Sequence, residues 1–376
     1  MLAGQVRSES GAIARWSQAL DVLHGRVAHR FARAEVRERA RRYVVGLLDR
    51  VERKNGWQLA EAIGERGAKG TQRLLNAAAW DADGVRDDLR DYVVEQLGDA
   101  VSGVLIVDET GFLKKGTKSC GVARQYTGTA GDTVNCQVGV FLAYASDWGA
   151  AFIDRALYLP RAWTQDAERR SEAGIPTAVR FASKITLAER MLARAFAAGV
   201  PAQWVVADSF YGRSGAFRHW LEEQGRAYAV MIPRTNAVQY GGQRVRVEQL
   251  VGRLAAPECA GWVCLALSEA CAAGMGCWLL VRRDPDDPGA EAYWLAYGPA
   301  GTTKAELVRV CTTRWAIEEC FAQTKGEVGM DQYEVRTWTA WHRFVTLCLL
   351  AHASLVVVRH AARREEAEKK GAPIPA

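Results

Sequence analysis

Three acidic residues stand out by the sequence around them. Asp108 ends the apolar run Val104–Val107 in VSGVLIVDETGF, and Asp208 ends the run Trp204–Ala207 in QWVVADSFYG. Both runs read as short buried strands. A carboxylate at the C-terminal end of such a strand emerges at the sheet rim, where ligands bind. The third acid, Glu318, lies in RWAIEECFAQTK, with Arg314 and Lys325 on either side of it. On a helix these offsets of four and seven stack all three side chains on one stripe. Three carboxylates in one place repel unless cations neutralise them, so together they would form a divalent-metal site with oxygen ligands. Two hard cations about 4 Å apart would activate a water or hydroxyl and stabilise the leaving oxygen of an in-line phosphoryl displacement. Mg2+ suits this role because it keeps waters and takes few protein carboxylates. Each acid also has a plainer reading. Asp108 before Glu109 and Thr110, and Asp208 before Ser209, can form turns or cap helices, and Glu318 can belong to a surface ion-pair ladder with Arg314 and Lys325.

The elements that must position these residues follow from periodicity. Residues 1–100 read as helical, rich in Ala, Leu, Arg and Glu and punctuated by Gly56, Gly64, Gly67, Gly70 and Gly84. The stretch NGWQLAEAIGERGAKGTQRLLNAAAWDADGVRDDLRDYV reads as helix, break, helix, turn and helix. That order fits a helix-turn-helix DNA-binding module and also a plain helical bundle. From Val101 the character changes: the strand ending at Asp108 is followed by GVARQYTG and TVNCQVGVFLAYAS, which read as two further strands of an antiparallel meander. LAERMLARAFAAG alternates at helical spacing, ends on Gly199 and leads into the strand before Asp208. Strand-like runs AYAVMIP, GWVCLALS, CWLLVRRD and AYWLAYG make 228–300 a β-rich insertion, after which the helical pattern returns with the Glu318 segment and an apolar helix from Trp341 to Val358.

Composition sets bounds. The chain has 376 residues, 49% of them hydrophobic, enough for one large core or two ordinary ones. The longest apolar run, VTLCLLAHASLVVV, reads as too short and too interrupted by His352 to span a bilayer, and no apolar signal segment opens the sequence, so a cytoplasmic protein without a membrane partner is expected. Nine cysteines show no zinc-ligand spacing. Cys259, Cys264, Cys271 and Cys277 cluster only loosely and read as reduced, small apolar residues. A net charge of +6 permits a polyanionic partner without demanding one. Between Arg26 and Lys54 basic residues far outnumber acidic ones on a helical pattern, which suits either phosphates or a solvated, salt-bridge-laced face.

At these residues the chain resembles the DDE-type insertion-sequence transposases of bacteria. The order strand-Asp, two strands, helix, strand-Asp, β insertion, helix-Glu is similar to their RNase H-like core. RWAIEECFAQTK resembles their signature around the third acid, in which Arg, Glu and Lys stand as Arg314, Glu318 and Lys325 do. VDETGFLKKGTKSCGVARQYTG, DRALYLPRAW, GVPAQWVVADSFYG and KGEVGMDQYEVRTWTAWHRF are similar too, so the resemblance runs from about Trp80 to His352. It implies an α/β fold: an RNase H-like mixed sheet flanked by helices, with a helical N-terminal domain and a β-rich insertion. The expected division is 1–100 helical and DNA-binding, 101–227 first part of the catalytic core, 228–300 insertion, 301–360 second part of the core, and 361–376 a charged flexible tail.

By the same resemblance Asp108, Asp208 and Glu318 are the catalytic, metal-binding triad, with two Mg2+ ions for which Mn2+ can substitute. Arg314 and Lys325 approach the scissile and flanking phosphates, one as a bidentate fork and the other as a point charge. The family signature carries a Tyr three residues before the Arg, and this chain has Cys311 there. A thiol has neither the stacking surface nor the reach of a phenol. Lys114, Lys115 and Lys118, with Gly111 and Gly116, form a basic turn beyond Asp108 expected to contact DNA phosphates, ordinary solvation being the alternative. Trp315 is expected in the core, as are Tyr211, Trp338 and Trp341, with base stacking the other possibility for the last three. The implied function is cut-and-paste transposition. Such an enzyme binds double-stranded DNA at terminal inverted repeats and in the target, cuts and rejoins it by way of a hairpin intermediate, and acts as a homodimer on DNA. Two other readings share these features: a nuclease with the same core that never joins DNA, and a domesticated transposase that only binds it.

Overall fold

The computed structural model describes residues 17–253, 261–283 and 291–370. In chain order its main elements begin with four helices: α1 (Ala34–Leu48), α2 (Gly56–Ala62), α3 (Lys69–Asn76) and α4 (Ala82–Leu97). Strands β1 (Val104–Leu113), β2 (Ala123–Thr127), β3 (Asp132–Ser146) and β4 (Gly149–Leu157) follow, then α5 (Lys184–Ala197), β5 (Trp204–Ala207), α6 (Gly215–Glu223) and β6 (Ala227–Met231). The insertion holds β7 (Ala237–Tyr240), β8 (Gln243–Arg246), β9 (Gly261–Ala266), β10 (Met275–Arg283) and β11 (Glu291–Pro299). The chain then forms α7 (Lys304–Thr313), α8 (Trp315–Gly326) and α9 (Trp338–Lys370). Cys259 lies outside the described residues.

The chain divides into two compact units, and β1 contributes to both. One unit contains 17–98, 109–200 and 317–370 of the described residues; the other contains 99–108, 201–253, 261–283 and 291–316. In the first unit β3 lies between β1 and β2, and β4 pairs antiparallel with β3 from Gly139↔Leu157 to Ser146↔Gly149. Helix α9 packs on β4, α4 and α1, and α5 on β3 and β4. The centre is aromatic: Phe141, Phe152 and Phe321 have ring centroids 4.9–5.3 Å apart. Each such buried ring contributes about 1.5–3 kcal/mol relative to exposure.

Strand β4 is absent from the sequence reading. Its middle residues Asp154 and Arg155 look like surface residues yet are buried. Asp154 accepts from Arg194 Nε at 2.9 Å and pairs with Arg86 at 3.4 Å, while Arg155 donates to Asp83 at 2.8 Å. Partnered in this way, charges that would otherwise be costly to bury are tolerated.

The Arg-rich stretch from Arg26 is largely engaged with acids. Arg26 pairs with Glu95, Arg30 with Asp88, Arg39 with Glu65 and Arg41 with Asp21. The apolar run around His352 is longer than its composition suggested, because it sits inside the 33-residue α9. By length and composition this helix could cross a membrane, but 72% of its apolar window is buried against the protein. The segment expected to be a flexible tail continues as helix to Lys370, supported by Arg364 paired with Glu368 one turn on at 3.1 Å.

In the second unit Val104–Val107 of β1 pairs parallel with Trp204–Ala207 of β5, and β5 pairs parallel with β6. β6, β11, β10 and β9 continue antiparallel. Helix α7, capped by Thr303 accepting from Glu306 N–H, packs against β5 and β6. Each unit therefore carries helices against β-strands, and the pairings include both parallel and antiparallel ones. This is the mixed α/β class expected of the core.

Candidate active site

The two aspartates arrive together. The register Val107↔Ala207 brings β1 and β5 to the same level, so Asp108 and Asp208 follow as neighbours at the C-terminal ends of adjacent parallel strands. Both are partly buried. Asp208 caps the single helical turn Ser209–Gly212: its Oδ1 accepts from Phe210 N–H at 3.0 Å and Tyr211 N–H at 3.4 Å. The capping alternative is thus present in the structure. It does not compete with ligand binding, since a carboxylate offers about four lone-pair sites over two oxygens.

Arg314 stands over Asp108, with Nη1 3.7 Å from Oδ2. It links α7 to α8 with φ −52° and ψ −35°. Its guanidinium also lies 4.6 Å from the Trp315 ring centroid. Trp315 is 47% exposed, which corrects the expectation of a core residue. The buried face of α8 is Ile317, Cys320, Phe321 and Thr324, and at about 100° per residue Trp315 points almost directly away from it.

In the first unit Glu318 occupies the first turn of α8, where a carboxylate is favoured by the helix dipole, and is partly buried. Lys325 ends the same helix and donates to Thr110 Oγ1 at 2.7 Å; burial lowers its pKa. Thr110 follows Asp108 by two residues in β1, so strand periodicity turns the two side chains to the same side. Glu109, on the alternate side, accepts from Lys184 Nζ at 2.6 Å, a pairing with no sequence signal because 75 residues separate the partners.

The lysine turn divides. Lys114 donates to Tyr333 O at 3.0 Å and lies 3.5 Å from that ring's centroid, and burial brings its pKa down to about 8. Lys118 is paired with Glu172 at 2.8 Å, while Lys115 is exposed. Cys311 is fully buried on α7, with burial pushing its thiol pKa up. It acts there as a small apolar residue and not at a surface. Tyr211 and Trp341 are fully buried, and Trp338 packs on His342 with centroids 4.2 Å apart.

Among the described residues no group of three or more His, Cys, Asp or Glu side chains gathers closely enough to hold a metal ion. The donor chemistry nonetheless fits a hard divalent cation: the candidate ligands are carboxylates only, two of them at adjacent strand ends. Arg314 supplies positive charge to Asp108 meanwhile.

Comparison with known proteins adds three findings. Two structures of Endonuclease V from Ciona intestinalis, in complex with DNA containing an inosine followed by a ribo-adenosine, are matched at TM-scores of 0.32 and 0.30. Identities are 10% and 13%, over 64% of this chain and 96% of those, a similarity too low to carry an argument. A probable transposase for insertion sequence element IS701 from Microchaete diplosiphon is 31% identical over 197 residues. The match covers 52% of this chain, which spans 48% of that relative's length. The family described as DDE superfamily endonuclease matches residues 26–257, a stretch that includes Asp108 and Asp208 and stops short of Glu318. With more than half of its length matched, the chain belongs to the DDE superfamily of endonucleases.

Proposed function

We propose that this endonuclease is an insertion-sequence transposase that binds the terminal inverted repeats of its own element, cuts the DNA there and joins the freed end to a target. One observation carries the reading: Asp108 and Asp208 end neighbouring parallel strands with the Arg314 guanidinium against Asp108. The likeness to the IS701 transposase over about half of that protein supports it.

In this reading Asp108, Asp208 and Glu318 would be the protein ligands of two Mg2+ ions. When bound, such a pair supplies activation of the attacking oxygen and charge compensation at the leaving oxygen. The remaining work belongs to the chain. Arg314, fixed between Asp108 and Trp315, offers a planar fork to a phosphodiester. Lys325, held at Thr110, would offer a point charge to a flanking phosphate. Water attacks the phosphorus at the element end, the bond from phosphorus to the element's 3′ oxygen breaks, the phosphate stays on the 5′ end of the flanking strand, and a 3′-hydroxyl is left on the element. That hydroxyl then displaces a target phosphodiester oxygen in the same way, so no covalent protein intermediate is needed. Joining two element ends calls for two copies on the DNA.

The test is incubation of the purified protein with its element's end fragment, Mg2+ or Mn2+, and a supercoiled plasmid. The reading expects nicks at the repeat boundary and joined products in the plasmid. Nicks without joined products would identify a nuclease instead, and DNA binding without nicks a binding protein.

A further inference from the structure

The first unit contains a polar cleft, of about 570 Å3, between the start of α4, the end of β4, α5 and the start of α9. This volume lies within the range of small-ligand sites, about 300–1,000 Å3. Six arginines line it: Arg86, Arg155, Arg180, Arg190, Arg194 and Arg343. The nearby acids are already committed. Asp83 pairs with Arg155 and Arg86, Asp154 with Arg194 and Arg86, Asp81 caps α4, and Glu189 neighbours Arg190.

Two guanidiniums meet no carboxylate among the described residues. Arg343, 8% exposed, donates to the carbonyl oxygens of Leu75 and Trp80 at 3.2 Å, and Arg180 donates to those of Thr177 and Val179. Burial lowers the Arg343 pKa. Trp80, which stacks under Arg343 at 5.1 Å, and Trp338 add aromatic wall to the cleft. A cleft with surplus arginine charge and indole surface suits a ligand that is anionic at one end and flat at the other.

We propose that this cleft binds a nucleoside phosphate, either one nucleotide of a DNA strand or a free nucleotide. The phosphate would meet Arg343 and Arg180, and the base would lie against Trp338. The choice of a nucleotide among flat anions rests on the DNA-acting reading above; the anion site does not.

The experiment measures binding of fluorescein-labelled dT12, dAMP and inorganic phosphate in EDTA to the full chain, to Arg180→Glu/Arg190→Glu and to Arg343→Gln, with thermal melts of each. The rim pair Arg180 and Arg190 is exposed, so its reversal should leave the melt unchanged. We expect the reversal to weaken dT12 binding at least about tenfold and to flatten its salt dependence. Competition by dAMP would assign the site to any nucleotide, and its failure to compete would assign it to a DNA strand. Binding of phosphate alone, equally lost in the reversal, would keep the anion site and overturn the nucleotide. Unchanged affinity for all three ligands in both variants would overturn the proposal entirely. Asp108→Ala, run in parallel, separates the two readings, because it should abolish cleavage and leave dAMP binding intact.

Discussion

Asp208 shows how one carboxylate can carry two roles that the sequence offered as rivals. Its Oδ1 caps the turn Ser209–Gly212, and its position beside Asp108 makes it a cation ligand in the proposed chemistry. The roles separate by substitution. Asn caps as well as Asp does, but it lacks the charge. Asp208→Asn is therefore expected to keep the melting temperature and to lose DNA cleavage at least about 100-fold, above the usual effect of losing a ligand's outer partner. Asp208→Ala should lose cleavage equally and also about 1 kcal/mol of stability from the cap; denaturant unfolding measures that difference. An Asn variant that still cleaves would leave Asp208 with capping alone. At this scale the candidate aspartates were legible because an apolar run ending in Asp is a local pattern. The contact of Lys114 with Tyr333 was not legible for the opposite reason: 219 residues separate the two, and nothing near Lys114 announces it.

At the scale of elements, the turn after Asp208 is held by close approach to a strand. A Cβ on Gly212 would stand 1.9 Å from the carbonyl oxygen of Met231 in β6, a backbone atom with little freedom to retreat. Gly212→Ala should thus push the turn off β6, costing about 1–3 kcal/mol, and should reduce cleavage because the Asp208 carboxylate moves with its cap partners. An unchanged melt and unchanged cleavage would show that the turn does not position the acid. Helix α8 was readable as a helix, and it carries Glu318 in its first turn and Lys325 in its last. What spacing left open was which face packs, and Trp315 fell on the exposed side. β4 escaped reading because its buried ion pairs, Asp154 with Arg194 and Arg155 with Asp83, make a core strand look like surface.

At the scale of the molecule, long-range placement is what the sequence held least. Strand positions a hundred residues apart, Val107 and Ala207, meet through the β1–β5 register, which only the resemblance to a known family anticipated. In the first unit His352 on α9 is completely buried; burial and the charge of Arg359 bring its pKa down to about 4. The folded state keeps this imidazole neutral while the unfolded chain protonates it below about 6.5. Stability is then fully present above about pH 6.5 and falls as pH drops toward 4, by up to about 3 kcal/mol from this group. His352→Leu should flatten that part of the stability–pH curve measured by denaturant unfolding, and an unaltered slope would show that His352 is not its source. The proposed chemistry requires Glu318, which lies outside the matched family stretch, as well as Asp108 and Asp208. Its most direct test is Mg2+-dependent cleavage of the element's end fragment by Glu318→Ala beside the wild type, with DNA binding measured on the same samples. The account predicts wild-type binding with cleavage abolished, and cleavage at the wild-type rate would contradict it.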